Sequence, residues 1–188
     1  TPLVDQTVQS FRELLCESTS QHQYTMPKVW TDIKHDWETQ NCAKPVYNNE
    51  WKFIGVGKVS GRVIGGNLST MAGIWGSQYM PEILDGDILL IEDSLKGLET
   101  VERSFAHLLA CGVFDKVGAI ILGKHELFDD KGTGRTPLDV LLEVLNGKNV
   151  PILYGFDSCH THPMLVTPLG VRGSIYFDNQ TLELQGPW

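Results

Sequence analysis

The sequence predicts an α/β fold in which a parallel sheet lies beside an antiparallel layer, preceded by an N-terminal helix and a long connecting segment. Two apolar strands, at residues 87–93 and 117–122, are each followed by a loop and then by helical spacing, over 101–109 and 136–145. A third apolar strand follows at 151–154. Strands that alternate with helices in this way favour a parallel sheet with helices packed against it.

The antiparallel layer is predicted from the last part of the chain. Residues 165–184 contain short β-like segments that are separated by turn residues at 168–170 and 178–179. Residues 52–66 carry β-branched side chains and five glycines, which indicates strands and tight turns. The glycine spacing fits neither Gly-x-Gly-x-x-Gly nor Gly-x-x-x-x-Gly-Lys-Ser/Thr, so this stretch is not interpreted as a phosphate-binding loop.

The first quarter of the chain has a different character. Apolar residues recur at helical spacing over 3–17, which predicts one amphipathic helix. Residues 18–51 are polar and aromatic without a sustained period, and both a lid over a site and an interdomain linker stay open for them. We therefore assign residues 1–51 to an interdomain helix with a linker or lid segment, and residues 52–188 to a C-terminal domain.

Composition limits the function classes. The chain has 188 residues with 41% hydrophobic content, enough for one domain with a sizeable core. Fifteen basic against 23 acidic residues give a net charge of -8, which argues against nucleic-acid binding as a primary role. The longest apolar runs, 88–91 and 119–122, are far shorter than the roughly 20 residues that cross a bilayer. We therefore predict no membrane association.

The cysteines and the first residues bear on the cellular context. Four scattered cysteines without a Cys-x-x-Cys pair indicate a reducing, cytoplasmic location, while disulfides in a secreted protein stay open. The chain starts at Thr1 with neither an initiating methionine nor a secretion signal. We interpret this beginning as cut rather than native.

Candidate catalytic groups follow two of the predicted strands. Glu92 ends the first apolar strand, and His160 lies in the segment 157–163 after the strand 151–154. In open α/β sheets, functional groups gather beyond the carboxyl ends of the strands. A carboxylate bonded to an imidazole fixes its tautomer and stabilises the imidazolium that forms when it takes a proton. We therefore predict a Glu92–His160 pair; the alternative is a helix-capping or solvated acid.

The histidines also raise a metal hypothesis. His160 and His162 alternate in an extended segment and could point the same way. Zinc needs three or four ligands, so His125 or Asp157 would have to converge from elsewhere. We predict neither a metal nor another cofactor. Cys159 is interpreted as a small packing residue, because an adjacent histidine in an extended stretch points away from it and cannot be its base.

Three ordered motifs carry a resemblance to a known family. They are Gly-Arg-Val-Ile-Gly-Gly-Asn-Leu at 61–68, Ile-Leu-Leu-Ile-Glu-Asp-Ser-Leu-Lys at 88–96, and His-Thr-His-Pro-Met at 160–164 followed by Pro-Leu-Gly-Val at 168–171. Together they resemble the LD-carboxypeptidases, and within them the microcin C immunity peptidases. The resemblance implies that residues 52–188 form a layered β/β/α domain of the swivelling type, in a serine carboxypeptidase with a Ser-Glu-His triad.

The resemblance assigns the catalytic roles. It implies that Glu92 and His160 are the triad partners and that the serine lies in an N-terminal nucleophile domain of the same protein. The family serine lies in a Gly-x-Ser-Asp setting, and this sequence contains no Ser-Asp dipeptide. We therefore expect the isolated chain to lack the nucleophile and to have little or no peptidase activity.

The resemblance also implies substrate-binding residues. Lys96 matches a basic position that would bind the acidic part of the substrate. Trp30 and Trp37 lie where the immunity peptidases carry an aromatic loop that would stack on a nucleotide base, and which ring stacks stays open. Asn67 is the fourth candidate. The substrate implied is a peptide or a peptidyl-nucleotide.

Other interpretations stay open at this point. The second activity of the family is the trimming of cell-wall tetrapeptides, and the rival class is a non-catalytic interaction module. A homodimer also stays open. The chain departs from the family at Ser158-Cys159, where Phe-Gly is more usual ahead of the histidine. We expect strain at Cys159 if that position needs a backbone conformation that favours glycine.

Overall fold

The computed structural model describes residues 2–17, 20–33 and 45–187. Its helices are α1 (Pro2–Phe11), which continues as a π-helical turn over Arg12–Cys16, α2 (Leu68–Ile74), α3 (Leu98–Ala110), α4 (Val113–Lys116) and α5 (Pro137–Leu145). Its strands are β1 (Gln21–Gln23), β2 (Val29–Trp30), β3 (Tyr47–Asn48), β4 (Lys52–Ile54), β5 (Lys58–Asn67), β6 (Ile88–Glu92), β7 (Ala119–Gly123), β8 (Ile152–Phe156), β9 (Arg172–Tyr176) and β10 (Thr181–Gln185).

Eight strands form one mixed sheet in the order β1-β10-β9-β5-β6-β7-β8-β4. The pairs β5–β6, β6–β7 and β7–β8 are parallel. The pairs β1–β10, β10–β9, β9–β5 and β8–β4 are antiparallel. β2 and β3 form a separate antiparallel pair. The predicted α/β fold, with parallel and antiparallel strands and an N-terminal helix, is confirmed.

β5 joins the parallel and antiparallel parts. Its first half, residues 58–62, pairs with β9, and its second half, residues 63–67, pairs with β6. The antiparallel strands therefore continue the parallel sheet through one shared strand. The parallel pairing of its second half places the carboxyl end of β5 beside that of β6.

Both faces of the sheet are buried, as expected for parallel strands covered on each side. Every residue of β6 and β7 is buried, and alternate residues enter two different apolar clusters. One cluster lies under α2, α3 and α5 and includes Leu89, Ile91, Ile120, Leu122, Phe105 and Leu141. The other lies under the antiparallel strands and includes Leu90, Ile121, Phe156, Ile175 and Leu184.

Residues before position 52 also enter this architecture. β1 pairs with β10, and the second cluster contains Leu14, Tyr24 and Trp51. The Tyr24 hydroxyl donates to the carbonyl oxygen of Val166 at 2.6 Å. The domain boundary after residue 51 stays a prediction. No helix within the described ranges combines the length and apolar character needed to cross a bilayer.

Two adjacent glycines of β5 allow a test of how closely its backbone approaches that of β6. Gly65 and Gly66 have φ values of +140° and +148°. A methyl group on Gly65 would lie 1.8 Å from the Leu90 carbonyl oxygen, whereas one on Gly66 would meet nothing within 4 Å. Both substitutions to alanine strain the backbone. Gly65→Ala should therefore lower the free energy of unfolding by about 1–3 kcal/mol more than Gly66→Ala. Urea unfolding measures both variants, and equal losses would contradict the close approach.

Candidate active site

The candidate site lies where the parallel strands end. Parallel pairing brings the carboxyl ends of β5 to β8 to one edge, and Asn67 on β5 is directly opposite Glu92 on β6. Gly123 on β7 pairs with Phe156 on β8, just before the segment that carries His160. Residues that are far apart in the sequence therefore meet at this edge.

Glu92 and His160 form a hydrogen-bonded pair, as the sequence predicts. His160 Nδ1 lies 2.7 Å from Glu92 Oε2. The carboxylate is buried, while the imidazole side chain is 50% exposed. An ionised carboxylate only accepts hydrogen bonds, so Nδ1 carries the proton and Nε2 of the neutral ring is the unprotonated nitrogen. Nε2 has no hydrogen-bond partner in the part of the chain that the structure describes.

The second oxygen of Glu92 is also held. Asn67 Nδ2 lies 3.1 Å from Glu92 Oε1 and 3.1 Å from Asp93 Oδ1. The Asn67 side-chain oxygen accepts from the Thr70 backbone N–H, which caps the N-terminus of α2. Ser69 Oγ donates to Asp93 Oδ2 at 2.7 Å. Asn67 therefore links the start of α2 to both acids at the end of β6. Its predicted contact with substrate stays a prediction.

Gly123 leaves the space in which the pair forms. A methyl group there would lie 2.9 Å from Glu92 Cβ and 3.4 Å from Cys159 Cβ. The first distance is shorter than side chains tolerate, so any larger residue would displace the glutamate or the neighbouring strand. A glycine at the end of β7 therefore lets Glu92 lie against the segment that carries His160.

Asp157 anchors the start of that segment. It is fully buried, and its Oδ1 accepts from Lys124 Nζ at 2.7 Å. Its Oδ2 accepts from Trp51 Nε1 at 2.7 Å and from Asn49 Nδ2 at 2.9 Å. The Lys124 ammonium, which is also buried, donates in addition to the Gly155 carbonyl oxygen. Such a buried charge pair is tolerated because hydrogen bonds satisfy both partners.

Trp30 packs against this anchor. It lies in β2, its ring centroid is 5.4 Å from that of Tyr47 on β3, and Lys124 Nζ lies over its ring at 5.4 Å. The next residue, Thr31, exchanges two backbone hydrogen bonds of 2.8 Å with His162. Trp30 is therefore close in space to the His160 segment. Its stacking on a substrate stays a prediction, and Trp37 lies outside the described residues.

Lys96 lies in a loop that continues the parallel pairing beyond the sheet. Ser94 and Gly97 form parallel bridges with Glu126 and Asp129, so the loop after β6 is paired with the loop after β7. The Lys96 carbonyl oxygen accepts from the Asp129 N–H at 3.1 Å. Its ammonium group forms no hydrogen bond or ion pair with any described residue. The cation is therefore free to meet a ligand, while its backbone is fixed.

Burial shifts the pKa values of two further side chains at this edge of the sheet. Burial lowers the pKa of His125 to about 4, and its Nε2 finds no hydrogen-bond partner among the described residues. Burial also raises the pKa of the Cys159 thiol to about 11, so the sulfur is protonated near neutral pH. Cys159 does not have a positive φ, so the strain considered for a glycine-like conformation is not found.

The described ranges contain no cluster of three or more histidine, cysteine, aspartate or glutamate side chains that could hold a metal ion. Asp157, one of the ligands considered, is instead engaged by Lys124, Trp51 and Asn49. His125, the other, is buried with its Nδ1 bonded to the Gly123 carbonyl oxygen. The chemistry that the edge offers is that of an oriented imidazole base.

Residues 60–175 match the protein family described as the LD-carboxypeptidase C-terminal domain. The chain belongs to this family. Within the LD-carboxypeptidase family, a Vibrio cholerae protein named as a carboxypeptidase is 78% identical over 187 residues, covering 100% of this chain and 56% of its own length. The Escherichia coli microcin C7 self-immunity protein MccF is 54% identical over 186 residues, covering 97% of this chain and 54% of its own length.

A solved structure agrees with these sequence matches. Wild-type apo MccF superposes with a TM-score of 0.94 at 53% identity, covering 100% of this chain and 57% of the MccF chain. MccF has also been solved with aspartyl sulfamoyl adenosine, with a TM-score of 0.94 at 53% identity over 99% of this chain and 56% of the MccF chain. The chain spans about half the length of the relatives that it matches. The predicted membership of the LD-carboxypeptidases, close to the immunity proteins, is confirmed.

Sequence reasoning missed the Lys124–Asp157 anchor of this LD-carboxypeptidase domain. The sequence patterns place Asp157 only among possible metal ligands and give Lys124 no role. A signal was present, because Lys124 directly follows β7 and Asp157 directly follows the neighbouring strand β8. Opposite charges at the carboxyl ends of adjacent parallel strands lie close enough to pair.

The anchor can be tested by removing its cation. Lys124→Ala should lower the free energy of unfolding by about 3–5 kcal/mol, because the buried Asp157 carboxylate loses its counter-ion. Lys148→Ala is the matched control, since its partner Asp115 is largely exposed. The control should cost less than about 1 kcal/mol. Urea unfolding of both variants measures the difference, and similar losses would argue against a buried, paired charge.

Proposed function

We propose that this chain supplies the base and its orienting carboxylate to a serine carboxypeptidase that hydrolyses an amide bond in a peptide-nucleotide of the microcin C type. The observation that carries the proposal is the 2.7 Å hydrogen bond between His160 Nδ1 and Glu92 Oε2. It leaves Nε2 of a half-exposed imidazole as the free basic nitrogen, at the edge of the sheet where a ligand can approach. In this role the peptidase removes the toxic compound from its producer.

The proposed mechanism uses both ends of the imidazole. His160 Nε2 takes the proton of a serine hydroxyl as the oxygen attacks the amide carbon, and the imidazolium then donates that proton to the leaving amine. Glu92 accepts from Nδ1 throughout and stabilises the imidazolium. Asn67 holds the other carboxylate oxygen at 3.1 Å, which limits rotation of Glu92 away from the ring.

The serine in this proposal comes from a nucleophile domain that precedes the present one in the same protein. Two observations support it: the family is described as a C-terminal domain, and the relatives are almost twice as long as the matched region. The triad is complete only when both domains are present. The present chain alone is accordingly proposed to be inactive.

The nucleotide-bearing substrate is supported by the ligands of MccF and by Lys96. MccF has been solved with aspartyl sulfamoyl adenosine, with glutamyl sulfamoyl guanosine and, as a tryptophan-to-phenylalanine variant, with adenosine monophosphate. An active-site mutant of MccF with a serine, an asparagine and a lysine replaced by alanine has also been solved. Asn67 and Lys96 are residues of those types at the present edge. The unpaired Lys96 ammonium suits an anionic group of the substrate.

A second candidate substrate is a cell-wall peptide. A Bacillus subtilis protein named for murein peptide carboxypeptidase activity is 25% identical over 131 residues, covering 69% of this chain. Such a peptide carries no base to stack on a tryptophan. Both candidate substrates would be hydrolysed with the same Glu92–His160 pair, and they differ in the groups around the bond that is cleaved. They are separated by offering both substrates to the same two-domain protein.

The catalytic pair is tested in a two-domain protein. The unmatched half of the Vibrio cholerae relative is joined ahead of Thr1, because that relative is 78% identical to this chain. His160→Ala and Glu92→Gln should each lower kcat for hydrolysis of aspartyl sulfamoyl adenosine by about 10³- to 10⁴-fold, since one removes the base and the other its orienting charge. Product release is followed by liquid chromatography.

His107→Ala is the control for this experiment, because His107 is an exposed histidine on α3. It should leave kcat unchanged. If all variants hydrolyse the compound as fast as the parent, or if none does and the parent is also inactive on a murein tetrapeptide, the non-catalytic interaction module replaces the enzyme. Hydrolysis of the tetrapeptide alone would select the cell-wall activity.

Lys96 is tested by affinity. In the same protein, Lys96→Ala should raise KM for the nucleotide-bearing compound about 10- to 100-fold with little change in kcat, because a charge-assisted hydrogen bond to the anionic group is lost. Lys96→Arg should restore most of the affinity. The matched control is Lys131→Ala, an exposed lysine that is paired with Asp129. An unchanged KM for Lys96→Ala would remove this residue from the binding site.

A further inference from the structure

α1 is packed on the domain through polar side chains. Thr7 Oγ1 accepts from the Met164 backbone N–H at 3.0 Å, and Ser10 Oγ accepts from the Val166 N–H at 2.9 Å. Ser10 is 5% exposed, and Leu14 in the following π-helical turn is fully buried. The inner face of the helix thus satisfies backbone N–H groups of a loop and contributes one large apolar side chain to the core.

The outer face of the same helix is apolar. Together with the following π-helical turn it carries an outer stripe formed by Val4, Val8 and Phe11 of α1 and Leu15 of the turn, which are between 41% and 56% exposed. Their spacing of four, three and four residues places them on one side of the helix. An amphipathic surface helix normally buries its apolar side, so a helix that turns four large apolar side chains to solvent indicates a surface that is covered by another body.

We infer that the outer stripe is the docking surface for the domain that precedes this one in the chain, the domain from which the proposed function draws its serine. The family is described as a C-terminal domain, and the relatives extend for almost as many residues again outside the matched region. A polypeptide that enters this domain must run into Pro2, the first residue of α1. The occupant is therefore tethered next to the stripe, which gives it a high effective concentration there.

Docking on α1 would also act on the catalytic edge. Thr7 and Ser10 hold the backbone at Met164 and Val166, and the N–H of the residue between them, Leu165, donates to the Asp157 carbonyl oxygen at 2.9 Å. The segment that carries His160 is therefore bounded on one side by Asp157 and on the other by α1. A domain seated on the outer stripe would fix α1 and, through it, the position of His160 relative to the incoming serine.

Accessibility of the stripe tests this inference without any need for activity. Val8→Cys is labelled with a thiol reagent, site by site, in the present chain and in the two-domain chimera with the Vibrio cholerae half ahead of Thr1. Labelling at position 8 should be at least about tenfold slower in the chimera. Val56→Cys is the control, because Val56 is 83% exposed in the turn before β5, and its labelling should not change. Leu15→Cys provides a second position on the stripe.

A disruptive substitution completes the test. In the chimera, Phe11→Asp should restore fast labelling of Val8→Cys, because an acid in the centre of an apolar interface weakens docking by about 30-fold or more. Equal labelling rates in the two proteins would overturn the inference. The stripe could instead be covered by a second copy of this chain. Slow labelling of the present chain by itself, together with a sedimenting dimer that Phe11→Asp dissociates, would show this and would also overturn the inference. Protection in the chimera without hydrolysis would leave the docking surface intact and would count against the proposed function only.

Discussion

The hydrogen bonds of the buried Asp157 carboxylate are the interactions on which the candidate site depends. It accepts hydrogen bonds from Lys124 after β7 and from Asn49 and Trp51 before β4, and it begins the segment that carries His160. Burying this carboxylate without these donors would lower the free energy of unfolding by several kcal/mol. The hydrogen bonds to one buried charge therefore hold the three segments together. His160 lies three positions after this buried group, and its ring is hydrogen-bonded to Glu92.

Much of the fold follows from local patterns in the sequence. The apolar runs of β6, β7 and β8 and the periodicity of α3 and α5 predict the parallel sheet, because burial on both faces leaves a continuous apolar run. Glu92 and His160 could be paired because one ends a strand of that sheet, the other lies just after a strand, and each lies in a family motif. The sharing of β5 between the parallel and antiparallel parts could not be predicted, since nothing in ten consecutive residues indicates which neighbour each half will pair with.

The parts of the site that escaped prediction depend on long-range contacts. A lysine after an apolar strand reads as a solvated residue, and only the adjacent strand reveals that Lys124 meets Asp157. Trp30 is one of two rings predicted to stack on a substrate base, and the Lys124 ammonium lies over its ring. The helical period over 3–17 predicts α1, but the direction of its apolar face depends on which body it packs against. Local periodicity identifies an amphipathic helix without identifying its partner.

The pairing of the two loops beyond the sheet has a geometric consequence. Bridges at Ser94–Glu126 and Gly97–Asp129 lock the backbone on both sides of Lys96, while Glu92 is fixed at the end of β6. Three residues, 93–95, thus separate the carboxylate that is hydrogen-bonded to His160 from the unpaired Lys96 ammonium. In the proposed peptidase, a substrate that contacts both groups would have to match the distance between them. A longer loop would therefore change the length of substrate that fits without changing the Glu92–His160 pair.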